Sequence, residues 1–218
     1  MKIAKHSARL LVLLLTFSNA LYADVMEQVA SLQTQWADVN YGMTGKAQVE
    51  AFEALMAKAE EVTQANPQAA EAWIWSGIIK SSFAGAKGGL GALSLVKESK
   101  KDLERAMELN PDALDGSAYT SLGTLYFKVP GWPIGFGDEE KAEELLKKAL
   151  TLNPNGIDPN YFYAEYLKEA GRYPEAQTYL LKAQQAAPRP NRLSADAGRQ
   201  KEISASLADV EQELKKGK

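Results

Sequence analysis

The chain contains no cysteine, and its one histidine, His6, lies close to the start. Without thiols there is no disulfide framework, no lipid-modified cysteine behind a leader, and no thiolate nucleophile or zinc–thiolate site. Glycine and proline are not enriched among the 218 residues, which excludes collagen-like and low-complexity classes. Away from the first residues no stretch approaches the roughly 18 apolar residues that a membrane-spanning helix requires.

The chain opens MKIAKHSARLLVLLLTFSNALYAD. Lys2, Lys5 and Arg9 form a basic start, Leu10–Phe17 an apolar run, and Ser18-Asn19-Ala20 or Leu21-Tyr22-Ala23 a small-residue cleavage site. This is the layout of a secretory signal peptide, with an apolar run too short for a stable anchor. Residues 1–23 are therefore expected to be removed, after Ala20 or Ala23, and the protein to be periplasmic and no lipoprotein, since export without disulfides suits that compartment.

Loss of the leader would also remove His6, leaving neither His nor Cys. That excludes Ser-His-Asp and Cys-His nucleophiles, imidazole bases, and zinc or copper sites with N and S ligands. Carboxylate, Lys or Tyr chemistry and oxygen-ligand metal sites survive, but no EF-hand spacing is present. Without Lys2, Lys5 and Arg9 the balance is 22 basic against 28 acidic residues, a net charge of −6. Such a chain is a poor partner for nucleic acid or an anionic membrane.

From Asp24, expected to cap the first helix, the pattern is helical almost throughout. Val25, Val29, Leu32, Trp36 and Val39 step by four and three. Val49, Phe52, Leu55, Ala59 and Val62 form a second stripe that stops at Asn66-Pro67. The same ending recurs at Asn110-Pro111, Asn153-Pro154 and Ala187-Pro188, so the chain is an internal repeat. The last unit, Pro154 to Pro188, spans 34 residues. Within it Asp158-Pro159 is expected to supply a cap and a first-turn proline, Gly171 a break, and Pro174 a new start.

Gly171, Tyr173, Ala176, Leu180, Ala183 and Pro188 match the second half of the tetratricopeptide repeat pattern, and the chain resembles that family over about residues 24–188. The first half of the last unit departs from it, with Asn160 where Trp and Leu167 where Tyr is usual. Trp73, Ser76-Gly77, Leu103 and Ala106 restore the pattern in one unit; Tyr119, Leu122-Gly123, Tyr126, Ala142, Leu146 and Ala149 do so in the next. The resemblance implies an all-α solenoid of helical hairpins, with units at about 24–67, 68–111, 112–154 and 155–188. Residues 189–218 would add a final helix with Ile203, Leu207, Val210 and Leu214 on one stripe, a solvating cap on an open solenoid.

Two units are longer than 34 residues. Pro67 to Pro111 spans 44, with the excess between Lys80 and Ser99; Pro111 to Pro154 spans 43, mostly between Tyr126 and Ala142. Both insertions fall at the turn from first to second helix, so two loops, Gly85–Leu93 and Gly123–Asp138, are expected side by side on one edge. The first, with Lys87-Gly88-Gly89-Leu90-Gly91, lacks the Lys-Ser/Thr pair of a phosphate loop. In the second, Pro130 and Pro133 stiffen the chain and Gly131, Gly135 and Gly137 are expected to allow positive φ. Trp132, Ile134 and Phe136 either tuck onto their own helices or present an anchor to a partner.

In the tetratricopeptide family the first helix of each pair lines an inner groove. The resemblance places Ile74, Ile78, Ser81, Ser82, Ser117, Thr120, Thr124, Phe127 and Lys128 there, then Tyr161, Glu165 and Lys168. Ile74 and Ile78 stand where the family's carboxylate clamp needs Asn and Lys, so that use is not expected. A hydroxyl-rich, weakly charged groove suits an extended peptide, an apolar helix, or a small solute covered by the two loops.

The reading is a non-enzymatic binding module without cofactor, partnered by another envelope or periplasmic protein. The leader, degenerate first repeat and glycine-rich insertions are also similar in layout to the TatT family, periplasmic helical-repeat proteins associated with tripartite (TRAP) transporters. That implies an accessory role in solute transport, although such proteins often carry a lipid-anchor cysteine that this chain lacks. A scaffold in envelope assembly is a further class, and an enzyme using Glu165 with Tyr161 or Tyr163 a third.

Overall fold

The computed structural model describes the backbone of residues 3–216 and the side chains of residues 22–89 and 91–216. The basic start, apolar run and Ala20 of the expected leader thus lie outside the described side chains. Among the described residues no helix is long and apolar enough to cross a membrane.

Local sequence makes the helices and local breakers end them. They are α1 (Ile3–Gly42), α2 (Gly45–Ala65), α3 (Ala70–Lys87), α4 (Gly89–Leu109), α5 (Ala113–Lys128), α6 (Glu139–Leu152), α7 (Ile157–Glu169), α8 (Tyr173–Gln184) and α9 (Leu193–Lys216). Asn66, Asn110 and Asn153 stand just past the ends of α2, α4 and α6, each donating its N–H to the carbonyl four residues back. The following proline cannot continue the helix. Gly171 takes φ +71° between α7 and α8, a conformation glycine adopts without steric cost.

Asp24 is not a cap. Helix α1 runs through it, and its carboxylate accepts a hydrogen bond from Gln28 Nε2 at 2.8 Å. Asp158 is not a cap either, because Gly156 precedes α7 and the aspartate turns to Arg189 and Arg199. By contrast Asp138 caps α6, accepting from the Lys141 N–H at 3.0 Å.

Four hairpins, α1/α2, α3/α4, α5/α6 and α7/α8, stack in order. Gly77 and Gly123 occupy equivalent positions, and each lets a leucine of the second helix sit against the backbone. A Cβ at Gly77 would lie 2.7 Å from Leu103 Cγ, and one at Gly123 2.8 Å from Leu146 Cγ. Leu103, Leu146, Ala106, Ala149, Ala176 and Ala183 are completely buried at these seams. At about 25 cal/mol per Å² of apolar area, such repeated close contacts supply most of the favourable folding term.

The first helices of the hairpins form an inner row. Helix α1 touches α3, α3 touches α5, α5 touches α7, and α7 touches α9. Helix α9 then also packs against α1, so the row closes into a ring. The expected open solenoid with a merely solvating last helix is thereby corrected. Ile203, Leu207 and Val210 do face the core as the stripe requires, but the opposite end of α9 meets Tyr41. Tyr41 donates to Glu202 Oε2 at 3.2 Å across 161 residues of sequence.

The two insertions are built differently. The first is no loop: the extra residues lengthen α3 and α4 to 18 and 21 residues, with only Gly88 (φ +63°) between them. The second is a loop held by its own backbone, with Gly137 N–H bonded to Pro130 O at 3.0 Å and Asp138 N–H to Tyr126 O at 2.9 Å. Gly131, Gly135 and Gly137 do not take positive φ. Gly135 and Gly137 are required for close approach instead: a Cβ at either would overlap the carbonyl oxygen of Pro130 or Val129. Because those oxygens belong to the backbone, Gly137→Ala is expected to cost about 2–3 kcal/mol in urea unfolding. Gly131→Ala, where the nearest atom lies 3.4 Å away, should cost well under about 1 kcal/mol.

Candidate functional site

The ring borders a half-open cavity of about 960 Å³. It is lined by residues of α1, α3, α4, α5 and the start of α7, by Val129, Pro130 and Ile134 of the following loop, and by Ala187, Arg189, Arg192 and Arg199. Trp36 and Trp75 meet edge to face at 5.8 Å beside it, and Trp36 Nε1 donates to Ser82 Oγ at 2.8 Å. Ile78, Leu93, Val96, Leu125 and Phe162 make most of its surface apolar, with Ser81, Ser117, Thr120 and Thr124 between them.

The start of α5 contributes an irregular segment. Leu114, Asp115 and Gly116 all have left-handed φ, between +48° and +76°, and Leu114 and Asp115 line the cavity. Left-handed backbone at Leu and Asp is strained. It is held by Gly116, where a Cβ would lie 2.6 Å from Leu152 Cδ1.

The residues read from sequence divide into three groups. Ile78, Thr120, Thr124, Lys128 and Ile134 line the cavity, and with Gly89 and Leu93 beside Ile134 both insertions contribute to it even though only one is a loop. Trp132 stands outside it, 90% exposed, and Ile134 is 65% exposed. Phe136 turns inward onto Tyr126, 5.5 Å away and edge to face, so the aromatic loop splits between packing and exposure. Phe127 packs on Tyr166 at 5.9 Å, and Lys128 pairs with Glu169.

The third group is not in an open groove. Ile74 is completely buried, facing the core on the other side of α3. Tyr161 is buried under the Arg199 guanidinium at 4.4 Å, and burial raises its pKa. Glu165 accepts from Ser206, and Lys168 bridges Glu165 at 2.9 Å and Ser206 at 2.7 Å. These placements correct the groove expectation for Ile74, Tyr161, Glu165 and Lys168: α9 lies over the last stretch of the inner face and takes up its polar groups.

An arginine cluster was not read from the sequence. Arg189 pairs with Asp158 and with Asp196 at 2.6 Å, and Arg199 with Asp158 at 2.9 Å and Glu202 at 2.6 Å. Burial pushes the Asp158 carboxyl up, but Arg199 and Arg189 outweigh it and hold the pKa at about 2. Burial, and then the charge of Arg189, lower the pKa of the third arginine, Arg192. One signal was present: Arg199 sits four residues before Ile203 on the apolar stripe of α9, so a charge had to be buried there. Among the described residues no group of His, Cys, Asp and Glu could hold a metal ion.

Fold and cavity together define the class, a closed solenoid of helical hairpins around a central chamber. Residues 134–196, from the loop before α6 through α7 and α8 to the start of α9, match the model of the tetratricopeptide repeat family. No curated protein matches the chain. Among solved structures it is similar to MamA, at 17% identity and a TM-score of 0.44 over 79% of this chain and 94% of MamA. It is also similar to TTC0263, a thermophilic TPR protein of Thermus thermophilus (19%, 0.42, 73% and 92%). A third is YrrB, described as a TPR protein with an unusual peptide-binding site (18%, 0.41, 75% and 80%). At TM-scores under 0.5 these likenesses assign no role to any residue of this chain.

Proposed function

We propose that the chain is an exported, non-enzymatic binding protein of the cell envelope that engages another envelope protein through its loop edge. Tetratricopeptide repeats are protein-interaction scaffolds, and the reading adds the place of contact. It is carried by one observation: Trp132 and Ile134 project into solvent from a loop whose backbone is pinned by its own hydrogen bonds. A large aromatic held rigidly in solvent loses little entropy on binding and is a favoured anchor. The leader layout supports export.

The test is retention of envelope proteins by the purified full chain, compared with Trp132→Ala/Ile134→Ala. The double variant should unfold within about 0.5 kcal/mol of the parent, because neither side chain is buried, yet lose the retained partner. Undiminished retention would remove the loop edge from the reading. Export is checked separately by fusing residues 1–30 to alkaline phosphatase, which should be active only while Leu10–Phe17 is intact.

The central cavity favours a second reading, an accessory role in periplasmic solute transport of the TatT kind. It predicts that the retained partner is a solute-binding protein; co-purification with envelope assembly factors alone would count against it.

A further inference from the structure

We infer that the central cavity is a binding site for an organic carboxylate with an apolar body, the carboxylate being held by Arg192. The inference rests on Arg192, which lines the cavity, and not on Trp132, which does not; Ile134 belongs to both surfaces, so Arg192 alone is varied in its test.

Three arginines stand together in the cavity lining, and the neighbouring acids are all taken by two of them. Asp196 lies with Arg189, Glu202 with Arg199, and Asp158 with both. Among the described residues Arg192 has no carboxylate within ion-pair distance, and its Nε is buried without a hydrogen-bond partner. The guanidinium is seated 5.0 Å over the Trp75 ring, which fixes it against the cavity wall. A buried, unanswered donor is costly, and a ligand oxyanion would supply the missing acceptors in the fork geometry that arginine favours.

The remaining lining decides the rest of the ligand. Ser81, Ser117 and Thr124 already donate to carbonyls of their own helices at 2.7–2.8 Å. Ser82 accepts from Trp36. Of the cations lining the cavity, Lys128 is paired with Glu169 and Arg189 and Arg199 with their acids, which leaves Arg192 as the lining cation without a carboxylate among the described residues. The other acids facing the chamber are Asp158, neutralised by its arginines, and Asp115 on the α5 wall, which disfavours a second anionic group on the ligand. Trp36, Ile78, Val96, Leu125 and Phe162 cover the surface between. A chamber of about 960 Å³ with these walls is far larger than an inorganic anion and suits a body of drug-like size.

Decanoate is the probe, with decanol as the uncharged body and acetate as the bodiless charge. Binding to the full chain is followed by calorimetry and by the fluorescence of Trp36 and Trp75. Decanoate should bind at least about tenfold more tightly than decanol, as expected for a charge-assisted hydrogen bond, and acetate should not register. Arg192→Gln should weaken decanoate by about tenfold or more and leave decanol unchanged, with Arg192→Lys between. If decanoate binds no better than decanol, or neither binds, or Arg192→Gln binds decanoate like the parent, the inference is wrong. The decanoate–decanol comparison uses the parent chain, so it decides the matter even if the glutamine variant fails to fold.

Discussion

Gly198→Leu should part α9 from α1 and open the ring. A Cβ at residue 198 would overlap three atoms of the Tyr41 ring, so any side chain there must displace that ring. Tyr41 cannot move freely. It packs edge to face on Trp36 at 5.6 Å, and its hydroxyl is tied to Glu202. Overpacking of this kind costs about 1–3 kcal/mol when the surroundings relax, and more when they cannot. Here the less costly response is separation, since α9 keeps its contacts with α7 and α8. The expected signature is a lower unfolding midpoint together with a larger radius of gyration and loss of decanoate binding. Gly42→Ala is the control: it ends α1 outside the cavity lining with nothing within 4 Å of a new Cβ, and should be neutral or stabilising by a few tenths of a kcal/mol. Adding Tyr41→Ala to Gly198→Leu removes the obstructing ring and should recover part of the loss. A Gly198→Leu chain that melts and scatters like the parent would show that the contact does not hold the ring shut.

Asp158→Asn should be the most destabilising isosteric change in the molecule. It keeps the shape of the side chain while removing the carboxylate shared by Arg189 and Arg199. Leaving buried cations short of a partner costs about 3–5 kcal/mol. The lower end is expected, because Asp196 and Glu202 still accompany the two arginines. The same carboxylate sets an acid dependence. Its folded pKa, about 2, lies below the ordinary value of 3.8, so the folded state favours the ionised form. That contribution is complete above about pH 5 and is lost as pH falls through about 4 towards 2, a total of roughly 2 kcal/mol. Glu143, held near 2 first by Arg172 and then by Lys147, adds to the loss in the same direction. Urea midpoints at pH 7 and pH 3 separate them: the parent should lose more stability on acidification than Asp158→Asn does. Equal losses would mean that Asp158 is not the arginine-paired anion described.

The helices and their ends were readable because their causes are local. Three- and four-residue apolar steps, Asn-Pro endings, Gly171 and Pro174 act within a few residues, and each appears where the pattern put it. The family resemblance was similarly legible from small residues at fixed spacing, since Ala106, Ala149 and Ala183 must be small wherever two helices touch. Reading failed where one residue type serves two physical ends. Gly135 and Gly137 were expected to relax a dihedral angle and instead make room for a carbonyl. The extra residues placed in a loop after Lys80 proved to be helix, because Ala, Leu, Ser and Lys around Gly88 favour continuing the turns on either side.

The sequence alone therefore determined a stack of helical hairpins, the swollen 129–138 turn, and a chain without cysteine. Tertiary structure decided that the stack closes. Closure is a sum of small rotations between successive hairpins, completed by a contact between residues 41 and 198 that leaves no local pattern in the chain. It also decided which groove residues remain available, since α9 covers Tyr161, Glu165 and Lys168 and leaves Arg192 facing the chamber without a partner among the described residues. A side chain's charge is written in the sequence; whether another charge answers it depends on where the chain returns.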